Sequence, residues 1–205
     1  MKTRERILET ARTMFNREAV PQVSTHRIAT ALGISQGNLH YHFKSKQQIV
    51  ELLFRRFAAE IAPFGTADAS IEALDDMWLT LHLAFEVIER YRFIHRDIEF
   101  LVREYPAMLP RARAMTAGYL DGVRRMCRKL VARKVLTASP DEVEVLALQT
   151  VLNATCWHTF SNLALPRAAD GSTGRAAYHT LTLLAPYANP QARSYLDYLR
   201  AKYCG

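Results

Sequence analysis

The run Ile28–Ser35, IATALGIS, constrains this chain more than any other stretch. Small and apolar residues at helical spacing lead into Leu32. Gly33 follows at once, where a glycine takes the left-handed conformation that ends a helix. Ile34 is an apolar anchor for the turn, and Ser35 can cap a third, short helix, Gln36–His42. Ser24 or Thr25 can cap the second helix, whose inward positions are Ile28, Ala29 and Leu32. Upstream, Arg4–Glu18 reads as an amphipathic helix with Ile7, Leu8, Ala11, Met14 and Phe15 on one face, and Pro21 breaks the chain after it. Helix, Gly turn, apolar anchor and capping Ser form the grammar of a helix-turn-helix.

The third helix has two core candidates, Leu39 and Phe43. Its other side chains are Gln36, Asn38, His40, Tyr41 and His42, where an ordinary surface helix would carry Glu and Lys. Polar, mostly uncharged tips suit base edges and phosphates in a major groove. Gly37 leaves room for close backbone approach. Ser45–Gln48 is a capping-box pattern that opens a fourth helix. The N–H groups at that helix start, with Lys44 and Lys46, would clamp a phosphate. The charge agrees: residues 1–57 hold 10 Lys+Arg against 4 Asp+Glu, so most of the +7 net charge sits there. A basic first quarter on a nearly neutral remainder suggests a polyanionic partner for the first part alone.

The stretch STHRIATALGISQGNLHYHFKSKQQIVELLF resembles the DNA-binding region of the TetR (tetracycline-repressor) family. There a helix-turn-helix runs into a sequence like G-x-L-Y-x-H-F-x-S-K-x-x-L. Gly37, Leu39, His42, Phe43, Ser45 and Lys46 match in order and without gaps, Tyr41 supplies an aromatic two positions after Leu39, and Ile49 takes the closing apolar position. The resemblance covers residues 4 to about 57. His40 departs from it, replacing the usual Tyr. Ala19 departs too, standing where the family often has Gly. The resemblance implies a regulator, commonly a repressor, that binds a palindromic double-stranded DNA operator as a homodimer and is released by a small-molecule effector. The DNA contacts expected are Thr25, Ser35, Gln36, Gly37, Asn38, His40, Tyr41, His42 and Lys46.

The remaining sequence reads as helix throughout, with no alternating strand pattern. The expected fold is all-α: an N-terminal three-helix helix-turn-helix domain, residues 1–57, joined by a fourth helix to a larger helical bundle, 58–205, for dimerisation and ligand binding. The fourth helix should end near Pro63. Further helices are expected at 69–92, carrying Ile71, Leu74, Met77, Trp78, Leu81, Phe85 and Ile88, then at 93–105, 111–136, 140–164, 175–185 and 192–203, with a loop at 166–173. Ser139-Pro140-Asp141-Glu142 is a helix start, and Asn189 before Pro190 is another. The helices 140–164 and 173–185 are expected to pair with their copies, on the apolar run Val143–Leu152 and the small residues Ala154 and Ala164. An effector pocket is expected from aromatic and polar groups on inward stripes: Trp78, His82, Phe85, Phe93, Phe100, Met115, Tyr119, Asn153, Trp157 and Phe160.

Other classes find little support. No uninterrupted apolar run reaches 18 residues, so no membrane partner is expected, and the mixed-charge start lacks a signal peptide's apolar core, which places the protein in the cytoplasm. Cys127, Cys156 and Cys204 are widely spaced and form no CxxC pair, so neither a disulfide framework nor a metal site is expected. His40 and His42 point to different sides of a helix, and with His26 they lack an acidic or thiol neighbour. No catalytic motif is present, and Cys156 and His158, two apart on a helix, diverge; no enzyme activity and no cofactor are expected. The rival reading is a helical adaptor that uses the N-terminal unit for protein contact.

Overall fold

The structure is a computed structural model that describes residues 2–66, 71–164 and 173–204. Eleven α-helices follow one another among them: α1 (Thr3–Glu18), α2 (Thr25–Leu32), α3 (Gln36–His42), α4 (Lys46–Gly65), α5 (Leu74–Arg90), α6 (Phe93–Arg96), α7 (Ile98–Glu104), α8 (Leu109–Ala132), α9 (Pro140–Ala164), α10 (Thr173–Leu181) and α11 (Pro190–Cys204). Short 3₁₀ turns occupy Pro106–Met108 and Thr182–Tyr187. The only extended pairing among the described residues is a single bridge between Leu136 and Ala188. The fold is all-α, as the sequence implies.

The chain forms two compact units. One contains residues up to Glu60 together with Tyr91–Ala112; the other contains Ile61–Arg90 and the residues from Arg113 onward. The first unit therefore draws on a segment, α6 and α7, that sequence reading places in the C-terminal domain. Its core is the predicted one: Ile7, Leu8, Ala11, Met14 and Phe15 are the buried residues of α1. They meet Val20, Val23, Ile28, Ala29, Leu39 and Phe43, all buried.

In the second unit, α5 buries Leu74, Met77, Leu81, Phe85 and Ile88 at helical spacing. Helix α10 packs against α5, α9 and α11. Ser139 caps α9 by a reciprocal pair: its hydroxyl accepts from the Glu142 amide at 3.3 Å, and the Glu142 carboxylate accepts from the Ser139 amide at 2.7 Å. Asn189 caps α11, its Oδ1 accepting from the Ala192 amide at 2.8 Å.

Several boundaries differ from the sequence expectation. Helix α4 runs past Pro63 to Gly65. The segment 93–105 is two short helices, not one. Helix α8 starts at Leu109, so Pro110 lies in its first turn, where no amide is needed. It stops at Ala132 because Lys134 turns into the left-handed region (φ 58°), which returns the Val135 amide to the Leu130 carbonyl at 2.9 Å. The 166–172 part of the expected loop, and residues 69–70 of the helix expected at 69–92, lie outside the described residues.

Candidate nucleic-acid interface

The turn between α2 and α3 is built as the local sequence dictates. Ser24 caps α2, its hydroxyl accepting from the Arg27 amide at 3.2 Å. Gly33 closes the helix in the left-handed region at φ 66°, ψ 31°. Ser35 caps α3 by accepting from the Asn38 amide at 3.1 Å. Leu39 and Phe43 hold α3 down by burial in the core. What remains outward is Gln36, Gly37, Asn38, His40 and Tyr41, with His42 half-buried. Tyr41 is 78% exposed, and its ring meets His42 edge-on at 5.2 Å. Its ring and hydroxyl give α3 both a stacking surface and a hydrogen-bonding tip. Gln36 is less free than its neighbours: its amide donates to the Thr25 hydroxyl at 3.1 Å and links the two helix starts.

Lys46 has a structural duty. Its ammonium donates to the Val20 carbonyl at 3.1 Å, tying the start of α4 to the turn after α1. Burial lowers its pKa, and the Glu104 carboxylate works in the opposite direction. Two of its three N–H donors are left for a phosphate. The start of α4 is capped by Ser45, whose hydroxyl accepts from the Gln48 amide at 3.3 Å. The return bond from Gln48 goes one residue further back than a capping box requires, to the Lys44 amide at 2.9 Å. Lys44 itself is exposed.

Behind this surface lies a clamp that sequence reading missed. Asp97, 9% exposed, accepts the Val20 amide on Oδ2 at 2.8 Å and the Arg96 guanidinium on both oxygens, at 2.8 and 3.0 Å. Arg96 also donates to the Asn16 and Phe15 carbonyls, each at 2.7 Å. Phe93 packs on Phe15 at 5.4 Å between ring centroids. Together these residues fix the end of α1 and the turn in which Ala19 takes φ 72°, ψ 150°. That conformation suits glycine alone, so the departure from Gly at this position stores strain. Glu5 and Arg56 pair α1 with α4, with 2.7 Å between Oε2 and Nη2, and the guanidinium holds the Glu5 carboxyl below its ordinary value.

The second unit contains a cavity of about 70 Å³, partly open to solvent. Its walls come from the last turn of α4 (Ile61, Phe64, Gly65), from α5 (Thr80, Leu81, Ala84, Ile88), from α8 (Tyr119, Gly122, Val123, Met126) and from α9 (Thr150, Val151, Ala154, Thr155). Helices α4 and α8 meet backbone to backbone there: a Cβ on Gly122 would lie 2.8 Å from the Gly65 Cα. Burial pushes the Tyr119 phenol far above its ordinary pKa, so it stays neutral.

Of the ten residues expected around a pocket, Tyr119 alone lines this cavity. Phe93 belongs to the core of the first unit, and Phe100 lies there edge-on to Tyr105. Trp78 stacks on His82 at 4.9 Å and on Tyr203 at 5.9 Å. Trp157 stacks on His179 at 5.0 Å, and Asn153 accepts from the Thr180 hydroxyl at 3.0 Å. Phe85 is buried, Met115 half-buried and Phe160 exposed. The cavity is made where small and aliphatic residues of four helices face one another.

The exposed side of α9 carries an apolar stripe, with Gln149, Thr159 and Asn162 also exposed. Val145, Leu148, Leu152, Phe160 and Leu163 are all exposed, while Val143, Leu146, Ala147, Thr150 and Val151 are buried on the other side. Ala154, expected at the outer face, is instead a wall of the cavity. The segment 173–185 offers no exposed residue, because α10 buries Gly174, Ala176, Ala177, Tyr178, Thr180 and Leu181 within its own chain.

Two family models match the chain: residues 7–53 fit that of bacterial regulatory proteins of the tetR family, and residues 56–196 that of a TetR bacterial transcriptional repressor. The chain belongs to the TetR family. A crystal structure of a TetR-family transcriptional regulator from Marinobacter aquaeolei VT8 is similar over 99% of both chains, at 31% identity and a TM-score of 0.89. SmeT, the repressor of the Stenotrophomonas maltophilia multidrug efflux pump SmeDEF, shares the fold at 22% identity and a TM-score of 0.60, over 94% of this chain and 93% of its own. The HTH-type transcriptional repressor KstR2 of Mycolicibacterium smegmatis is 34% identical over 106 residues, 48% of this chain. That match spans about half the length of KstR2 (47%), and matches to staphylococcal HTH-type regulators span less than a third of theirs. This TetR-family chain is thus a DNA-binding transcriptional regulator, and α2–α3 is its helix-turn-helix. Among the described residues no helix is long and apolar enough to cross a membrane.

Proposed function

We propose that this regulator binds a palindromic operator as a homodimer, represses by occluding it, and lets go when a small molecule enters the helical domain. The observation that carries the reading is the outward face of α3. Gln36, Gly37, Asn38, His40 and Tyr41 are exposed on a helix that Leu39 and Phe43 anchor and Ser35 caps. That face meets base edges, while Thr25, Ser35, His42 and Lys46 contact the flanking phosphates. The first unit is the DNA-reading part and the second the dimerising and sensing part. The protein works in the cytoplasm, as a regulator and not as an enzyme.

The dimer reading rests on α9. One short recognition helix reads few base pairs, and two-fold pairing doubles the contact. At 1.5 Å and 100° per residue, Val145–Leu163 makes a stripe roughly 27 Å long on one side of α9. A second copy of the same stripe covers it in an isologous interface. The effector reading rests on the cavity of the second unit; SmeT, of the same fold, is known as a complex with triclosan.

Sedimentation of the wild type and of Leu152→Glu tests the assembly. The wild type is expected as a dimer at micromolar concentration, and Leu152→Glu as a folded monomer with weakened DNA binding. A wild-type monomer removes the homodimer from the account.

A further inference from the structure

The walls of the cavity contain no Asp, Glu, Lys, Arg or His. A charged ligand would leave water there with nothing to receive its charge. Of the three threonines in the lining, two have their hydroxyls occupied. The Thr80 hydroxyl donates to the Asp76 carbonyl at 2.9 Å, and the Thr155 hydroxyl to the Val151 carbonyl at 2.8 Å. Thr150 is the exception. It is 1% exposed, lines the cavity, and its hydroxyl has no hydrogen-bond partner. A threonine inside a helix ordinarily bonds the carbonyl one turn back, and Thr150 does not. A buried hydroxyl left unsatisfied calls for an explanation, and a ligand supplies one.

We infer that the cavity takes an uncharged, largely apolar molecule whose single polar group hydrogen-bonds to the Thr150 hydroxyl. This deepens the effector reading and rests on it. The cavity is about 70 Å³ and partly open to solvent. The buried part of the ligand is therefore small, with the remainder in the open mouth.

Three probes of nearly equal size separate the chemistry: benzyl alcohol, ethylbenzene and benzylammonium. Binding to the free full-length protein is followed by NMR of the Val123, Val151 and Met126 methyl groups. Benzyl alcohol and ethylbenzene are expected to shift these signals, and benzylammonium to leave them in place. In Thr150→Val, which keeps the shape and removes the hydroxyl, benzyl alcohol is expected to lose roughly fivefold in affinity relative to ethylbenzene. The variant is expected to melt no lower than the wild type, because it sheds an unsatisfied hydroxyl. Benzylammonium binding as tightly as benzyl alcohol, an unchanged alcohol-to-hydrocarbon ratio in Thr150→Val, or no binding by any probe overturns the inference. DNA binding by the same samples, measured without probes, reports separately on the regulator reading.

Discussion

The Asp97 carboxylate accepts the Val20 amide at 2.8 Å across 77 residues of sequence. This bond, with the Arg96 guanidinium closing on both Asp97 oxygens, makes α6 and α7 part of the DNA-reading unit. Asp97→Ala leaves the Val20 amide buried without an acceptor and Arg96 without its carboxylate. Breaking a buried pair in this way costs about 3 kcal/mol or more. A thermal melt of the variant is expected to show a fall of several degrees or an early, separate transition of the N-terminal unit. An unchanged melting curve would show that the clamp is idle.

Ala19 offers the converse change. Its φ of 72° with ψ 150° lies in a region that costs a side-chain-bearing residue on the order of 1–3 kcal/mol. Ala19→Gly removes the Cβ and is expected to raise stability by about 1 kcal/mol, the strain relief being partly offset by the greater freedom of an unfolded glycine. Denaturant midpoints measure this directly, and a lower midpoint in the variant counts against the strain.

His95 should make stability fall on acidification. Its ring nitrogens are buried, its ring stands edge-on to Phe57 at 5.4 Å, and burial lowers its pKa to about 4. The unfolded chain takes up a proton near pH 6.5, whereas the folded chain resists until about pH 4. Stability is therefore full above pH 6.5 and drains between pH 6.5 and 4, by up to about 3 kcal/mol at 1.4 kcal/mol per unit. Urea unfolding against pH is expected to show this slope in the wild type. His95→Phe is expected to flatten it.

Lys46 separates holding from binding. Lys46→Ala loses the bond to the Val20 carbonyl and is expected to cost about 1 kcal/mol of stability. If its remaining donors meet a phosphate, the dependence of DNA affinity on salt also falls by about one unit of log–log slope. An unchanged slope would assign Lys46 to the fold alone.

What the sequence discloses and what it hides divide along one physical line. The α2–α3 turn is legible because each instruction is local: Gly33 follows Leu32, and Ser24 and Ser35 sit three residues before the amides they cap. Ala19 stands out in the sequence as a departure from Gly, but its strain shows only in its backbone angles. The Arg96–Asp97 clamp is not legible, since its partners Phe15, Asn16 and Val20 lie 77 to 81 residues away in sequence. Nor is the cavity, because a space is defined by what four helices leave unfilled. Thr150 and Gly122 have no signature until those helices pack. Phe93 and Trp157, which do stand out in the sequence, do not line that cavity.

The central claim, that the outward face of α3 reads duplex DNA, is met most directly by selecting bound duplexes from a random pool with wild type and with Tyr41→Ala and Asn38→Ala. The account predicts a palindromic consensus for the wild type, and for the two variants at least a tenfold loss of affinity for it with unchanged melting temperature. Recovery of the same consensus at equal affinity by both variants would contradict it.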